Sequence, residues 1–393
     1  MSPQRPFRVE LLRDFPPRPI ATVLRFVAPD GATALAVPCR LSRERTIVNA
    51  MMLDPAWRPD VVCAEEDARI RVQLTPRGAA LALARSAARL LGVTRPRLNV
   101  PDRGPAVAPV AAWAGQTGLA SPSVTIIIPT RDRADLLKRA VETLFTSPNR
   151  PGTDLVIVDN GSVESATLGY LEALRRTPGV QVVRLDEPFN FARLVNTGAA
   201  VAKGEVLALL NNDVQSNDPN WCDALAKLAL DERVGAVGAK LLQPNGRVQH
   251  AGITLGVGGL CGHAGRGRAH DDPGPGGMLA TTRQVSAVTG ACFFTRRSVF
   301  ERLSGFDERY AVEFNDVDYC LRAKAIGLAT VCASHPALVH AEGSSRRASP
   351  LRAQEYLDRL TFVTRWGKSL VTDPHYPDGL SYDNEHLSPA LAD

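Results

Sequence analysis

Two hydrophobic rhythms divide this chain. Up to about residue 95 the apolar positions come in short β-branched runs, Ala21 to Val27, Thr33 to Val37, Arg45 to Met51 and Ala68 to Leu74, separated by proline and glycine. That pattern predicts a small antiparallel sheet or sandwich, followed by a helical Ala/Leu/Arg stretch from Ala79 to Leu91. From Thr94 to Ser123 the chain turns to Pro, Ala and Gly, as a linker does. Beyond Ser123, Val/Ile/Leu-rich strands alternate with helical segments. Strands are expected at Val124 to Ile128, Leu155 to Val158, Val180 to Leu185 and Val206 to Leu210, with helices at Asp135 to Phe145, Ser165 to Arg176 and Phe191 to Ala202. Gly204 reads as the residue that ends the last of these helices. Two further helices are expected, Pro219 to Leu230 and Asp316 to Ile326. Apolar strands alternating with helices predict an α/β fold, a mainly parallel sheet covered on both faces. The expected organisation is a β-rich domain over 1–95, a linker over 96–122, an α/β domain over 123–350, and a C-terminal helix and tail over 351–393.

The strand VLALLNNDV runs directly into Asn211, Asn212 and Asp213. Oxygen donors at the carboxyl end of a buried strand suit a hard cation and its diphosphate; the same residues also form ordinary Asx-turns. Asp159 follows the second strand and Asp316 opens a late helix, so carboxylates recur where an open α/β sheet binds ligands. On that helix Asp316, Tyr319, Cys320 and Ala323 share a face from which Asp318 turns away, making Asp316 the better catalytic candidate and Asp318 the structural one. A first-turn carboxylate also simply complements the helix dipole. His340 follows the apolar run Ala337 to Val339, either completing a metal site or ending a strand. Gly256 to Gly277, glycine-rich with His263, Arg266, Arg268 and His270, predicts a long mobile surface loop, either a lid over a ligand or plain disorder.

Composition narrows the classes. A chain of 393 residues has room for two domains, and no apolar run reaches the ~18 residues of a membrane-spanning helix. The first residues, MSPQRPFRVELLRDF, lack a signal-peptide core, so a cytoplasmic location with seven reduced cysteines is expected. A net charge of +5 without long basic blocks argues against nucleic acid and leaves weak attraction to anionic lipids or sugar phosphates. There is no HExxH pair, GxSxG elbow or P-loop. The segment Arg352 to Leu370 carries Tyr356, Leu360, Phe362 and Trp366 among basic residues; it either packs back on its own domain or touches a membrane surface.

Six ordered blocks then carry a resemblance: SVTIIIPTRDRADLLKRAVETL, DLVIVDNGS, FNFARLVNTGAAVAKGEVLALLNNDV, VGAVGAKLLQPNGRVQHAG, SAVTGACFFTRRSVFERLSGFDERYAVEFNDVDYCLRA and LVHAEGSS. From Ser123 to about Trp366 the chain resembles family-2 glycosyltransferases of the inverting GT-A fold, in the subgroup of bacterial O-antigen, rhamnan and cell-surface polysaccharide enzymes. The resemblance implies that Pro129, Thr130, Arg131 and Asp159 line the nucleotide pocket, Asp159 reading the base. Asn190, Phe191 and Asn196 would pack along the nucleotide and diphosphate. Asn211, Asn212 and Asp213 stand in place of the DxD motif, Asp213 binding Mn2+ or Mg2+ with His340 as the later metal ligand. Gly290, Ala291 and Asn315 would flank the acceptor, and Asp316 would be the general base. Asn160, Asn211 and Asn315 replace acidic residues of the commonest pattern, the first two lowering negative charge near the metal. The expected donor is a UDP- or dTDP-sugar and the expected acceptor a glycan or polyprenyl-linked glycan, with peripheral contact at the inner membrane face. The competing expectations are a degenerate sugar-nucleotide or glycan-binding module, and a nucleotidyltransferase, which the missing Lys-containing triphosphate loop disfavours.

Overall fold

The computed structural model describes residues 7–11, 20–27, 33–41, 46–48, 58–63, 70–73, 107–115, 118, 120–145, 152–341, 352–370, 372–382 and 384–390. The chain divides into two compact units. One comprises Met1–Ala106, Leu255–Cys261 and Phe362–Asp373, the other Val107–Thr254, Gly262–Thr361 and Pro374–Asp393. In the first, Phe7–Leu11 lies between Thr46–Val48 and Ile70–Gln73, and Ile20–Val27 between Thr33–Leu41 and Arg58–Cys63. All these pairings are antiparallel, as the short β-branched runs predict. The expected helix Ala79 to Leu91 lies outside the described residues.

The second unit is an α/β layer structure. Its elements are β1 (Val124–Thr130), α1 (Ala134–Leu144), β2 (Thr153–Asp159), α2 (Ser165–Arg175), β3 (Val180–Arg184), α3 (Phe191–Val201), β4 (Val206–Leu210), β5 (Val214–Gln215), α4 (Trp221–Leu230) and β6 (Val234–Leu242). There follow β7 (Val248–His250), β8 (Arg283–Val285), β9 (Cys292–Arg296), α5 (Arg297–Arg302), α6 (Asn315–Ala325), β10 (Ala329–His340) and α7 (Arg352–Trp366), the last reaching into the first unit. The sheet runs β5-β10-β6-β9-β4-β1-β2-β3, with β7 beside β6 and β8 beside β10. Strands β3, β2, β1 and β4 are mutually parallel, as are β6 and β10; β9 is antiparallel to both β4 and β6.

Alternation along β1 explains the layering. Ile126 and Ile128 join Leu137, Ala140 and Val141 of α1 in one buried cluster, whereas Ile127 faces the other way and meets α3 at Gly198. All seven residues of β1 are buried, the signature of a strand covered on both faces.

Three expectations change. Helix α3 ends at Val201, before Gly204. A Cβ on Gly204 would lie 2.4 Å from the Thr125 nitrogen, so glycine is needed for close approach to β1 rather than as a cap. Residues 107–115, inside the expected linker, belong to the α/β unit. Val110 and Trp113 donate backbone hydrogen bonds to Gly276 O and Thr282 O, and the Trp113 ring packs on the core. Within the expected mobile loop, residues 262–277 are folded down. Ala264 is buried with Met278, Leu279, Tyr376 and Leu387. Gly265 has φ 75°, where a Cβ would strike Leu279 at 2.6 Å. Its glycines serve tight local folding, not mobility.

Candidate active site

The carboxyl ends of β1, β2 and β4 hold Pro129, Thr130, Arg131, Asp159, Asn211, Asn212 and Asp213. At the end of β4, Val214 N–H closes a main-chain turn on Asn211 O, not an Asx-turn made through a side chain. The same turn aims Asp213 at β10, which pairs with β5 in the register Val214 to His340. His340 Nε2 lies 3.0 Å from Asp213 Oδ1 and 3.3 Å from Asn211 Nδ2. Its Nδ1 is 2.7 Å from Gln249 Oε1. With the amide oxygen toward the ring, Nδ1 donates to Gln249 and Nε2 faces the Asp213 carboxylate. Two acceptors at that separation need a proton or a cation between them. Both side chains are buried, Asp213 at 4% and His340 at 8% exposure. Among the described residues no group of three or more His, Cys, Asp or Glu could hold a metal. Asp213 and His340 are nevertheless a mixed oxygen and imidazole pair of the kind Mn2+ accepts, with diphosphate oxygens left to complete the shell.

Asn212 turns the opposite way and donates from Nδ2 to Thr130 Oγ1 at 3.0 Å, locking the ends of β4 and β1 together. Pro129 and Thr130 are buried strand-end residues, and Arg131 is exposed. Asp132 and Arg133 follow in the left-handed region (φ 52° and 56°), strain that persists only where neighbours fix the backbone. Asp132 Oδ1 accepts the Val163 and Glu164 N–H groups, and its own N–H donates to Ser162 Oγ. Asp159 sits beside them, fully buried. It accepts Ser162 N–H at 2.9 Å and pairs with Arg184 at 2.9 Å. Asn160 donates twice, to Leu185 O and Glu187 O.

Asp316 occupies the first turn of α6. Its Oδ2 accepts the Gly290 N–H at 2.7 Å and its Oδ1 the Val317 N–H at 2.8 Å. Burial pushes this carboxyl above the usual aspartate range, against the pull of those two hydrogen bonds. Gly290 is a close-approach glycine: a Cβ there would lie 3.2 Å from the Phe191 ring and 3.6 Å from Asp316 Oδ2. Phe191 thus lines the Asp316 side. Ala291 O accepts the Asn211 N–H at 3.1 Å. Ala291 and Gly290, adjacent in the chain, therefore connect the Asp213–His340 pair to Asp316. Helix α6 is seated by Tyr319, whose hydroxyl meets Thr295 Oγ1 at 2.9 Å and whose ring packs on Phe293 and Phe306. Asp318, wholly buried, pairs with Arg322 at 2.7 Å, the structural part expected of it.

Three predicted residues are placed differently. Asn190 caps α3 by accepting Arg193 N–H and donates to Glu308 O. Asn196 brackets Phe306, accepting its N–H and donating to its carbonyl. Both tie α3 to the loop before α6. Asn315 is buried and donates to Tyr310 O at 3.4 Å, turned inward from the acceptor side. Sequence reasoning missed Gln249, whose partner lies 91 residues away, and Arg184. Asp132, by contrast, carried a readable signal as an Asx residue just before a helix.

The carboxyl edge of an open α/β sheet is where such folds place their ligands, and known proteins of related sequence and fold narrow the class. Residues 125–304 match glycosyl transferase family 2; this stretch includes Asp213 and Gly290 and stops short of Asp316 and His340. The chain is 38% identical over 275 residues to the O-antigen biosynthesis protein RfbC of Myxococcus xanthus, covering 70% of this chain and 21% of that one. It thus spans about a fifth of that relative. It is 26% identical over 240 residues to the N-acetylglucosaminyl-diphospho-decaprenol L-rhamnosyltransferase of Mycobacterium tuberculosis, covering 54% of this chain and 74% of that one. In fold it is similar to GalNAc-T7, solved with UDP, GalNAc and Mn2+, at a TM-score of 0.51 and 16% identity, over 62% of this chain and 48% of the other.

Proposed function

We propose that this chain is a metal-dependent inverting glycosyltransferase that moves a sugar from a nucleotide diphosphate to a hydroxyl of a glycan or polyprenyl-linked acceptor in cell-surface polysaccharide synthesis. The observation that carries the reading is the continuous path Asp213–Asn211–Ala291–Gly290–Asp316 along one sheet edge. It joins the buried Asp213–His340 pair to the Asp316 carboxylate, which supports giving the first a metal and the second a proton to handle. The acceptor hydroxyl attacks the anomeric carbon as the bond to the diphosphate oxygen breaks on the opposite face. Asp316 Oδ takes the hydroxyl proton, which requires about 2.6–3.2 Å in the bound complex. Asp213 and His340 hold the Mn2+ or Mg2+, which supplies charge neutralisation for the leaving diphosphate. Thr130, Arg131 and Asp159 form the nucleotide side, and Phe191 and Gly290 the sugar and acceptor side.

The name of the Mycobacterium tuberculosis relative supports an acceptor carried on a polyprenyl diphosphate; the donor of this reading is a UDP- or dTDP-sugar. Among the described residues no helix is long and apolar enough to cross a membrane; cytoplasmic placement with peripheral contact at the inner membrane fits such an acceptor. The deciding experiment is calorimetric titration of UDP-, dTDP- and GDP-sugars, with and without Mn2+, into the parent and Asp213→Ala. Metal-dependent binding of one donor that disappears in the variant is expected. Absence of binding in a folded protein would point instead to a degenerate module.

A further inference from the structure

The loop from Gly305 to Phe314 delivers the chain into α6 and so sets where Asp316 stands. One side of it is tied to α3, through Asn196 to Phe306, Asn190 to Glu308 O and Phe191 N–H to Ala311 O at 2.7 Å. The other side is gripped by α7. Asp358, with no solvent exposure, accepts three consecutive backbone N–H groups, those of Ala311 at 3.3 Å, Val312 at 2.7 Å and Glu313 at 2.9 Å. Gln354, one turn earlier, donates to the same carboxylate at 2.9 Å. Arg359 adds a two-pronged pair to Glu313 at 2.8 and 3.1 Å.

Successive backbone N–H groups converging on one carboxylate form a nest, an arrangement that fixes the backbone dihedrals around it. The residue that follows the nest is Phe314, held in the left-handed region at φ 65°. A bulky residue stays there only where its surroundings over-determine it. Asp316 comes two residues later. An apolar side chain would pack a helix face at lower desolvation cost than a buried carboxylate, so packing alone does not account for Asp358.

We propose that Asp358 is a positioning residue for glycosyl transfer: its nest over 311–313 holds Phe314 and thereby the Asp316 carboxylate in register with Gly290. Helix α7, at the far end of the chain from the nucleotide strands, is then part of the catalytic machinery. This rests on Asp316 being the base.

The test uses the full chain with UDP-glucose, dTDP-rhamnose and GDP-mannose as donor probes, reading release of nucleoside diphosphate. For Asp358→Asn, kcat should fall about 100-fold, the scale of a 1 Å misplacement, with donor KM within twofold of the parent. Hydrogen exchange should speed up at Ala311, Val312 and Glu313 while β1 and β4 stay protected. A kcat within twofold of the parent overturns the proposal. So does a variant in which kcat, donor KM and exchange across the sheet all move together. Should Asp358→Asn not fold, Gln354→Ala gives the same reading: a lower kcat at unchanged donor KM supports the role, and parental kcat overturns it. Asp316→Asn in the same assay separates the two ideas. Parental turnover there sinks the base assignment, whereas an inactive Asp316→Asn beside a fully active Asp358→Asn sinks only the positioning role.

Discussion

Asp316 is held in a way that trades stability for reactivity. Burial raises its pKa and so disfavours the ionised form that a general base needs, while the Gly290 and Val317 N–H groups keep that form reachable. The acidic limb of the kcat/KM profile should therefore have its midpoint above the ordinary aspartate range, activity falling as pH drops through it. The sign for stability is opposite. A carboxyl whose folded pKa exceeds its unfolded one contributes most below the unfolded value and loses that contribution as pH rises toward the folded value. Asp316→Asn should thus abolish transfer and leave donor binding intact. Its melting temperature at neutral pH should be no lower than the parent's; a markedly lower one would mean the carboxylate stabilises the fold. A second residue-scale test falls on Gln249. If it orients His340, Gln249→Leu should raise the Mn2+ needed for donor binding about 10- to 100-fold, and an unmoved titration midpoint would remove it from the site.

At the scale of elements, the strand ends are fixed by glycines and amides that are easily mistaken for turn chemistry. Gly204 lets the segment before β4 press against β1, where its N–H donates to Thr125 Oγ1 at 2.8 Å. A methyl at that point meets main chain, which cannot swing aside. Gly204→Ala is expected to destabilise the unit by about 1–3 kcal/mol, measured by denaturant unfolding at unchanged m-value; a parental midpoint would show that β1 and β4 separate freely. Helices α1 to α4 and α6, by contrast, were readable to within two residues, as where α1 buries Leu136, Leu137, Ala140, Val141 and Leu144 at helical spacing, whereas the short α5 was not expected. Helix α7 holds Asp358 and Arg359 against the 311–313 loop, which favours the packed-back reading over a membrane-facing one for that turn.

Across the whole molecule, a donor and metal bound as proposed would join several segments, so occupancy should stabilise the α/β unit as one body. At a donor concentration 100 times Kd the gain is about 2.7 kcal/mol. With Mn2+ present, the melting temperature of the parent should therefore rise with the cognate donor and not with the others. A rise equal for every nucleotide sugar would mean that the sugar and base are not read.

What the sequence determined by itself was local and periodic. Continuous Val/Ile/Leu strands, amphipathic helices and Asn/Asp clusters at strand ends are set by residues within a few positions of each other, and they specified the parallel half of the sheet, β1 to β4, with its helices and carboxyl edge, but not β5 to β10. Asp213 and His340 stood out as polar residues ending apolar runs and Asp316 as a carboxylate opening a helix, while the roles expected of them came from the family resemblance. What tertiary structure decided were pairings across long chain separations: Gln249 with His340, Asn196 with Phe306, Gly290 with Asp316. No local pattern encodes such partners. Asn190, Asn196 and Asn315, read as ligand-facing, also brace Glu308, Phe306 and Tyr310, and a glycine-rich stretch that read as mobile is folded onto its own apolar residues. The physical reason is that an amide or a glycine has a fixed chemistry and no fixed direction until the chain around it closes.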